Sequence, residues 1–157
     1  MNAVVVYFSK FGNTQMVAEA IAETLRPEGA VRVISSEMLR EENFKGIDLV
    51  VMGTPTHNMN LPKAVRPVFD ALPKRALKGI PVAAFDTSYK MSWWLTHFTA
   101  AKRLSKKLRK LGGKRLLPPE TFHVTGREGP LYDGEIERAK EWAALIIERR
   151  KSKMVSM

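Results

Sequence analysis

Short runs of consecutive apolar residues alternate along this chain with stretches whose apolar positions recur every three or four residues. The runs are rich in β-branched residues and almost free of polar interruption, the pattern of strands covered on both faces. They predict strands over Ala3–Phe8, Val31–Ile34, Asp48–Gly53 and Pro81–Phe85, with a final one around Thr121–Val124. The intervening stretches predict helices over Asn13–Arg26, near Ser36–Glu42, and over Leu61–Leu72, Phe98–Leu111 and Gly134–Arg149. In the first helix Met16, Val17, Ala20, Ile21 and Leu25 make one apolar stripe; in the last, Ile136, Ala139, Ala143 and Ile147 do so around Trp142. Pro67 should end or kink the third helix, Gly112-Gly113 should stop the fourth, and Asp133-Gly134 reads as a helix start without chemistry. Strand–helix alternation of this kind implies an α/β fold: a three-layer, doubly wound, parallel five-stranded sheet.

At 157 residues the chain fits one domain, expected over 1–150, with a basic tail at 151–157 expected to fray. There is no internal repeat and no linker. The absence of cysteine excludes disulfides, thiol catalysis and cysteine-ligated iron–sulfur clusters. Any redox role therefore needs a bound organic cofactor or a metal site without thiols. No stretch approaches the roughly 20 apolar residues of a membrane span, and the N-terminus enters a strand without a basic n-region. The expectation is a soluble cytoplasmic protein with no membrane partner.

The formal net charge is +10. Much of it lies in Lys102-Arg103, Lys106-Lys107, Arg109-Lys110 and Lys114-Arg115, with more in Arg149-Arg150-Lys151 and Lys153. Leu104, Leu108 and Leu111 fall at helical spacing among these charges, so the segment reads as an amphipathic helix with a solvated basic face. No recognition motif or aromatic–basic stacking surface accompanies it. Solvation, or electrostatic steering of an acidic partner, is favoured over nucleic-acid binding.

In a doubly wound sheet, ligands bind beyond the carboxyl ends of the strands where the strand order reverses. Three segments belong there. The first, Ser9-Lys10-Phe11-Gly12-Asn13-Thr14, joins the opening strand to the opening helix. Free N–H groups at a helix N-terminus point outward, and the helix dipole adds roughly half a positive charge, so such a loop can hold a phosphate. Gly12 allows a close turn, and Ser9, Asn13 and Thr14 add side-chain donors; the plainer reading of Gly12-Asn13-Thr14 is a turn and helix cap. The second segment, Thr54-Pro55-Thr56-His57-Asn58-Met59-Asn60, ends at Leu61-Pro62, where Pro62 suits a first helical turn. The third is Asp86-Thr87-Ser88-Tyr89-Lys90-Met91-Ser92-Trp93-Trp94. A phosphate-bearing planar ligand would find an anion cradle in the first and stacking or hydrogen-bonding partners in the others.

Each singled-out residue also has a plainer reading. His57 could be a ligand or general acid, but the three histidines lack metal-ligand spacing, so a lining or exposed role is favoured. Trp93 or Trp94 could stack on the ligand, Trp93 being favoured, or the pair could form an interface patch. Tyr89 could stack or pack against its loop, and Asp86 could accept a ligand hydrogen bond or cap the following helix.

With these residues in view, the chain resembles the flavodoxin family, in the style of short-chain flavodoxins and the flavodoxin domains of flavodiiron proteins. The matching pieces are Tyr7-Phe8-Ser9-Lys10-Phe11-Gly12-Asn13-Thr14, Leu49-Val50-Val51-Met52-Gly53-Thr54-Pro55-Thr56, Val82-Ala83-Ala84-Phe85, and Ala101-Lys102-Arg103-Leu104 through Leu111-Gly112-Gly113. The resemblance implies strand order 2-1-3-4-5 and non-covalent FMN used for electron transfer. It implies that Ser9, Lys10, Phe11, Gly12, Asn13 and Thr14 surround the phosphate, with Phe11 replacing a hydroxyl residue common there. Pro55, Thr56, His57 and Asn58 would line one side of the flavin, and Asp86, Thr87, Ser88 and Tyr89 the other, with Trp93 in the same loop. Two departures stand out. Asn58-Met59-Asn60 lacks the glycine with which many flavodoxins serve the one-electron-reduced flavin, and this chain is basic where the family tends to be acidic.

The resemblance leads to an FMN-binding electron carrier, monomer or dimer, serving acidic redox partners of the ferredoxin or flavodoxin-reductase type. The alternatives are an NAD(P)H-dependent flavin reductase acting on a quinone or metal, and a flavin-free domain that keeps the fold for binding. Lys10, Lys90 and the basic field should favour the anionic reduced flavin and give a less negative two-electron potential than in acidic relatives.

Overall fold

A computed structural model of the protein describes residues 1–56, 60–90 and 100–155. Strands β1 (Asn2–Tyr7), β2 (Ala30–Ser35), β3 (Leu49–Pro55), β4 (Pro81–Tyr89), β5 (Lys114–Arg115) and β6 (Glu120–Val124) form one six-stranded sheet, and every pairing between them is parallel. The order is β2-β1-β3-β4-β5, as the resemblance implied, with β6 also paired to β4. The fifth position is thus filled in two lengths. β5 meets Pro81 and Val82 of β4, and β6 meets Phe85 to Tyr89 further along the same edge. Between them stand Pro118 and Pro119, which have no N–H to give a ladder.

The apolar strand runs are explained by the two layers they face. In β1, Ala3 and Val5 point into a core shared with α1 (Asn13–Leu25) and α4 (Glu135–Val155). Val4 and Val6 point the other way, toward α2 (Val65–Asp70) and α3 (Ala100–Lys110). Leu104, Leu108 and Leu111 are buried as the sequence pattern required, and the intervening basic residues form the outer face of α3. Phe85, Phe122 and Trp142 pack edge to face with centroids about 6 Å apart. Gly53 makes room for this trio, because a Cβ there would lie 2.0 Å from the Phe85 ring.

Several expectations are corrected. The segment Asp86–Tyr89 is not a loop but the second half of β4, held by β3 on one side and β6 on the other. The helix expected near Ser36–Glu42 is two short 3-10 turns, Ser36–Met38 and Glu41–Phe44. The helix expected over Leu61–Leu72 narrows to Val65–Asp70, and Pro67 neither ends nor kinks it because it sits in the first turn, where no intrahelical N–H bond is lost. Met16 leaves the apolar stripe of α1 and is 53% exposed. The last helix continues to Val155, beyond the point where fraying was expected. Arg150 pairs with Asp48, Lys151 with Glu28, and Lys153 Nζ donates to the Arg115 carbonyl.

Candidate functional site

Because all strands run the same way, the ends of β1, β3, β4 and β6 open on one edge of the sheet. A cavity of about 380 Å³ lies there. Its wall takes Ser9, Lys10, Phe11, Asn13 and Thr14 from the β1–α1 segment and Pro55 and Thr56 from β3 and beyond. Thr87, Ser88 and Tyr89 come from β4, and Val124 and Arg127 from β6 and the segment after it. Among the described residues no carboxylate lines this cavity.

The β1–α1 segment has the build of an anion cradle. Gly12 adopts φ 90°, a left-handed conformation that glycine takes without the steric cost of a side chain, and it caps α1. Its N–H donates to Ser9 Oγ at 3.0 Å, which closes the loop on itself. The first helical bond runs from the Met16 N–H to the Gly12 carbonyl at 3.0 Å. The N–H groups of Asn13, Thr14 and Gln15 precede that bond and are the unpaired donors every helix N-terminus carries. Thr14 fixes the first turn in depth: its hydroxyl shares a buried 2.8 Å hydrogen bond with that of Thr87 on β4. Phe11 is 41% exposed, with the Lys10 ammonium 5.3 Å from its ring centre, and it does not close the cavity.

Asp86 plays a different part from the one expected of it. It is fully buried and is absent from the cavity wall. Oδ2 accepts the Thr56 hydroxyl at 2.6 Å and the Ala101 N–H at 3.1 Å, so the carboxylate caps α3 and holds Thr56. Thr56 in turn accepts from the Ala100 N–H at 3.3 Å, which leaves its hydroxyl committed within the protein. Oδ1 has no hydrogen bond of good geometry among the described residues. Burial pushes the Asp86 carboxyl above the ordinary aspartate range, against the opposing influence of the Thr121 and Thr56 hydroxyls and the Ala101 N–H.

The structure therefore brings Ser9, Lys10, Phe11, Asn13, Thr14, Pro55, Thr56, Thr87, Ser88 and Tyr89 to one cavity, with Gly12 shaping its floor through the backbone. His57, Asn58 and Trp93 lie outside the described residues, as do Met59 and Trp94. Sequence reasoning missed Val124 and Arg127. The available signal was Thr125-Gly126-Arg127-Glu128-Gly129-Pro130, a turn-rich segment that a parallel final strand must deliver to the same edge. Beside the cavity, across Ser9, Lys10 and Pro55, lies a second hollow of about 660 Å³ that includes Glu37, Leu61 and Lys63. Among the described residues no cluster could hold a metal ion, and no helix is long and apolar enough to cross a membrane.

Comparison with known proteins agrees with this architecture. A flavodoxin from the domain Archaea superimposes with a TM-score of 0.71 at 20% identity, over 96% of this chain and 99% of that one. Flavodoxin 2 from Bacillus cereus gives 0.80 at 20% identity, over 95% and 99%. The rubredoxin oxygen:oxidoreductase of Desulfovibrio gigas gives 0.75 at 21% identity, over 98% of this chain and 37% of that larger one. At these identities the likeness is one of fold. Sequence carries the stronger statement, since the family model described as Flavodoxin matches residues 5–142. The chain belongs to the flavodoxin family.

Proposed function

We propose that this protein is a small FMN-dependent electron carrier. Membership of the flavodoxin family makes it a flavin-binding electron-transfer protein and implies FMN as the cofactor. The observation that carries the finer reading is the cavity. Unpaired N–H groups at the start of α1, the lining cations Lys10 and Arg127, and no carboxylate among the described lining residues suit a phosphate dianion. Pro55 and Tyr89 offer surfaces against which a planar ring can lie. When bound, the flavin supplies the redox chemistry. The chain supplies grip and orientation. The N–H groups of Asn13, Thr14 and Gln15 would hold the phosphate, Gly12 sets their direction, and Lys10 adds a charge beside it. Asp86 supports the wall from behind through Thr56.

The basic face of α3, with Lys10 and Lys63 near the mouth, supports docking by an acidic redox partner. A cytoplasmic location and a redox protein rather than a nucleic acid as partner belong to the same proposal. The test is anaerobic reduction of the FMN-loaded protein, followed at the flavin absorption bands. A carrier bleaches slowly with NADH or NADPH alone and rapidly once a flavodoxin-type reductase is added. Rapid bleaching by a nicotinamide alone would identify a flavin-dependent reductase instead, and a protein that takes up no flavin would contradict both.

A further inference from the structure

The segment between β6 and α4 is built as a closed turn and fastened to the start of α1. The Thr125 N–H and hydroxyl both donate to the Pro130 carbonyl, at 2.8 and 2.9 Å, and the Gly129 N–H donates to the Gly126 carbonyl at 3.0 Å. Asn13 Nδ2 donates to the Glu128 carbonyl at 3.0 Å. Gly129 lies so close to Asn13 that a Cβ there would come within 2.5 Å of its Oδ1. The residue that heads the anion cradle thus also holds this turn in place.

Arg127 is carried by that turn and lines the cavity with Ser9, Lys10, Asn13 and Thr14. Arg66, Arg138 and Arg150 are engaged with carboxylates, whereas Arg127 makes no ion pair or hydrogen bond among the described residues. The neighbouring Glu128 does not contribute to the cavity wall. A guanidinium stays charged at any working pH and presents paired N–H groups that match two phosphate oxygens at once.

We propose that Arg127 is a phosphate-binding residue, a cationic clamp set over the backbone cradle of α1, so that this site selects a flavin monophosphate by charge as well as by hydrogen bonding. The inference rests on the FMN reading of the cavity. Its test uses the full chain stripped of flavin, as wild type, Arg127→Gln and Arg127→Lys, titrated with FMN and with riboflavin at low and high salt. Thermal unfolding of each apoprotein serves as the folding control.

Arg127→Gln should weaken FMN binding by roughly 10- to 100-fold, leave riboflavin binding unchanged and flatten the salt dependence for FMN. Arg127→Lys should fall between it and wild type. Unchanged FMN affinity in Arg127→Gln would overturn the proposal, as would an equal loss for FMN and riboflavin, which would mark Arg127 as a packing residue of the turn. Failure of the underlying reading looks different: wild type itself would then show no preference for FMN over riboflavin.

Discussion

The Thr14 and Thr87 hydroxyls, both on largely buried residues in the cavity wall, meet at 2.8 Å and join the first turn of α1 to β4. Thr14→Val keeps the shape and removes one partner, leaving the largely buried Thr87 hydroxyl without its bond to α1. The variant should lose about 1–3 kcal/mol of stability in urea denaturation; a loss below about 0.5 kcal/mol, an ordinary surface value, would show that this contact does not set the depth of the turn. Asp86 gives a pH prediction. Its folded-state pKa is raised by burial, so the folded protein holds the proton more tightly than the unfolded chain and ionisation costs stability. The cost is absent below the ordinary value of 3.8, grows as pH rises through the raised pKa, and is complete above it. Asn in place of Asp keeps an acceptor for Thr56 and Ala101 and removes the charge. Asp86→Asn should therefore gain on wild type as pH rises from that point and then level off, read as the difference between two urea-stability profiles. A pH-independent difference would contradict the assignment. The local part of the β1–α1 segment, the Ser9–Gly12 turn, was legible, whereas the partner of Thr14 lies on a strand far along the chain. Arg127 was not legible, because its place depends on where a distant strand ends.

Among the elements, β4 departs most from its reading. Asp86-Thr87-Ser88 looks like a loop because a strand interior rarely carries an aspartate, yet here the strand has a neighbour on each side, Thr54 and Pro55 of β3 and Thr121 to His123 of β6. Each polar side chain is then buried at the sheet end, where Thr87 and Asp86 hold other elements. The start of α4 is tied down in the same manner. Glu135 is buried, which raises its pKa, but Arg138 and the His123 N–H outweigh that and hold it below the ordinary glutamate range. The close contact of Gly53 with Phe85 is likewise invisible in a strand pattern, since it joins neighbouring strands. Gly53→Ala should destabilise by about 1–3 kcal/mol through overpacking, with a matching fall in the urea midpoint; an unchanged midpoint would show that the ring moves aside freely. By contrast, the helical stripes of α1, α3 and α4 and the all-apolar strands were legible, because burial on both faces leaves its mark on every residue.

For the whole molecule, the net charge of +10 is the property that the fold does not explain. It is carried mainly on surfaces such as the outer face of α3, where it leaves the core untouched. Reversing Lys106 and Arg109 to Glu should slow association with an acidic reductase several-fold at low salt, and the difference should vanish at high ionic strength. A salt-independent effect would point to a contact rather than a field. Lys10 lines the cavity, so Lys10→Glu should also shift the two-electron potential to more negative values in a redox titration; an unmoved potential would separate the basic surface from the redox site. The most direct measurement is the affinity of the flavin-free protein for FMN against riboflavin, by quenching of flavin fluorescence. A cradle of helix N–H groups and lining cations predicts that FMN binds at least about 100-fold more tightly, from charge-assisted hydrogen bonds worth roughly 1.5–3 kcal/mol each. Equal affinities would mean that the cavity at the head of α1 does not hold a phosphate.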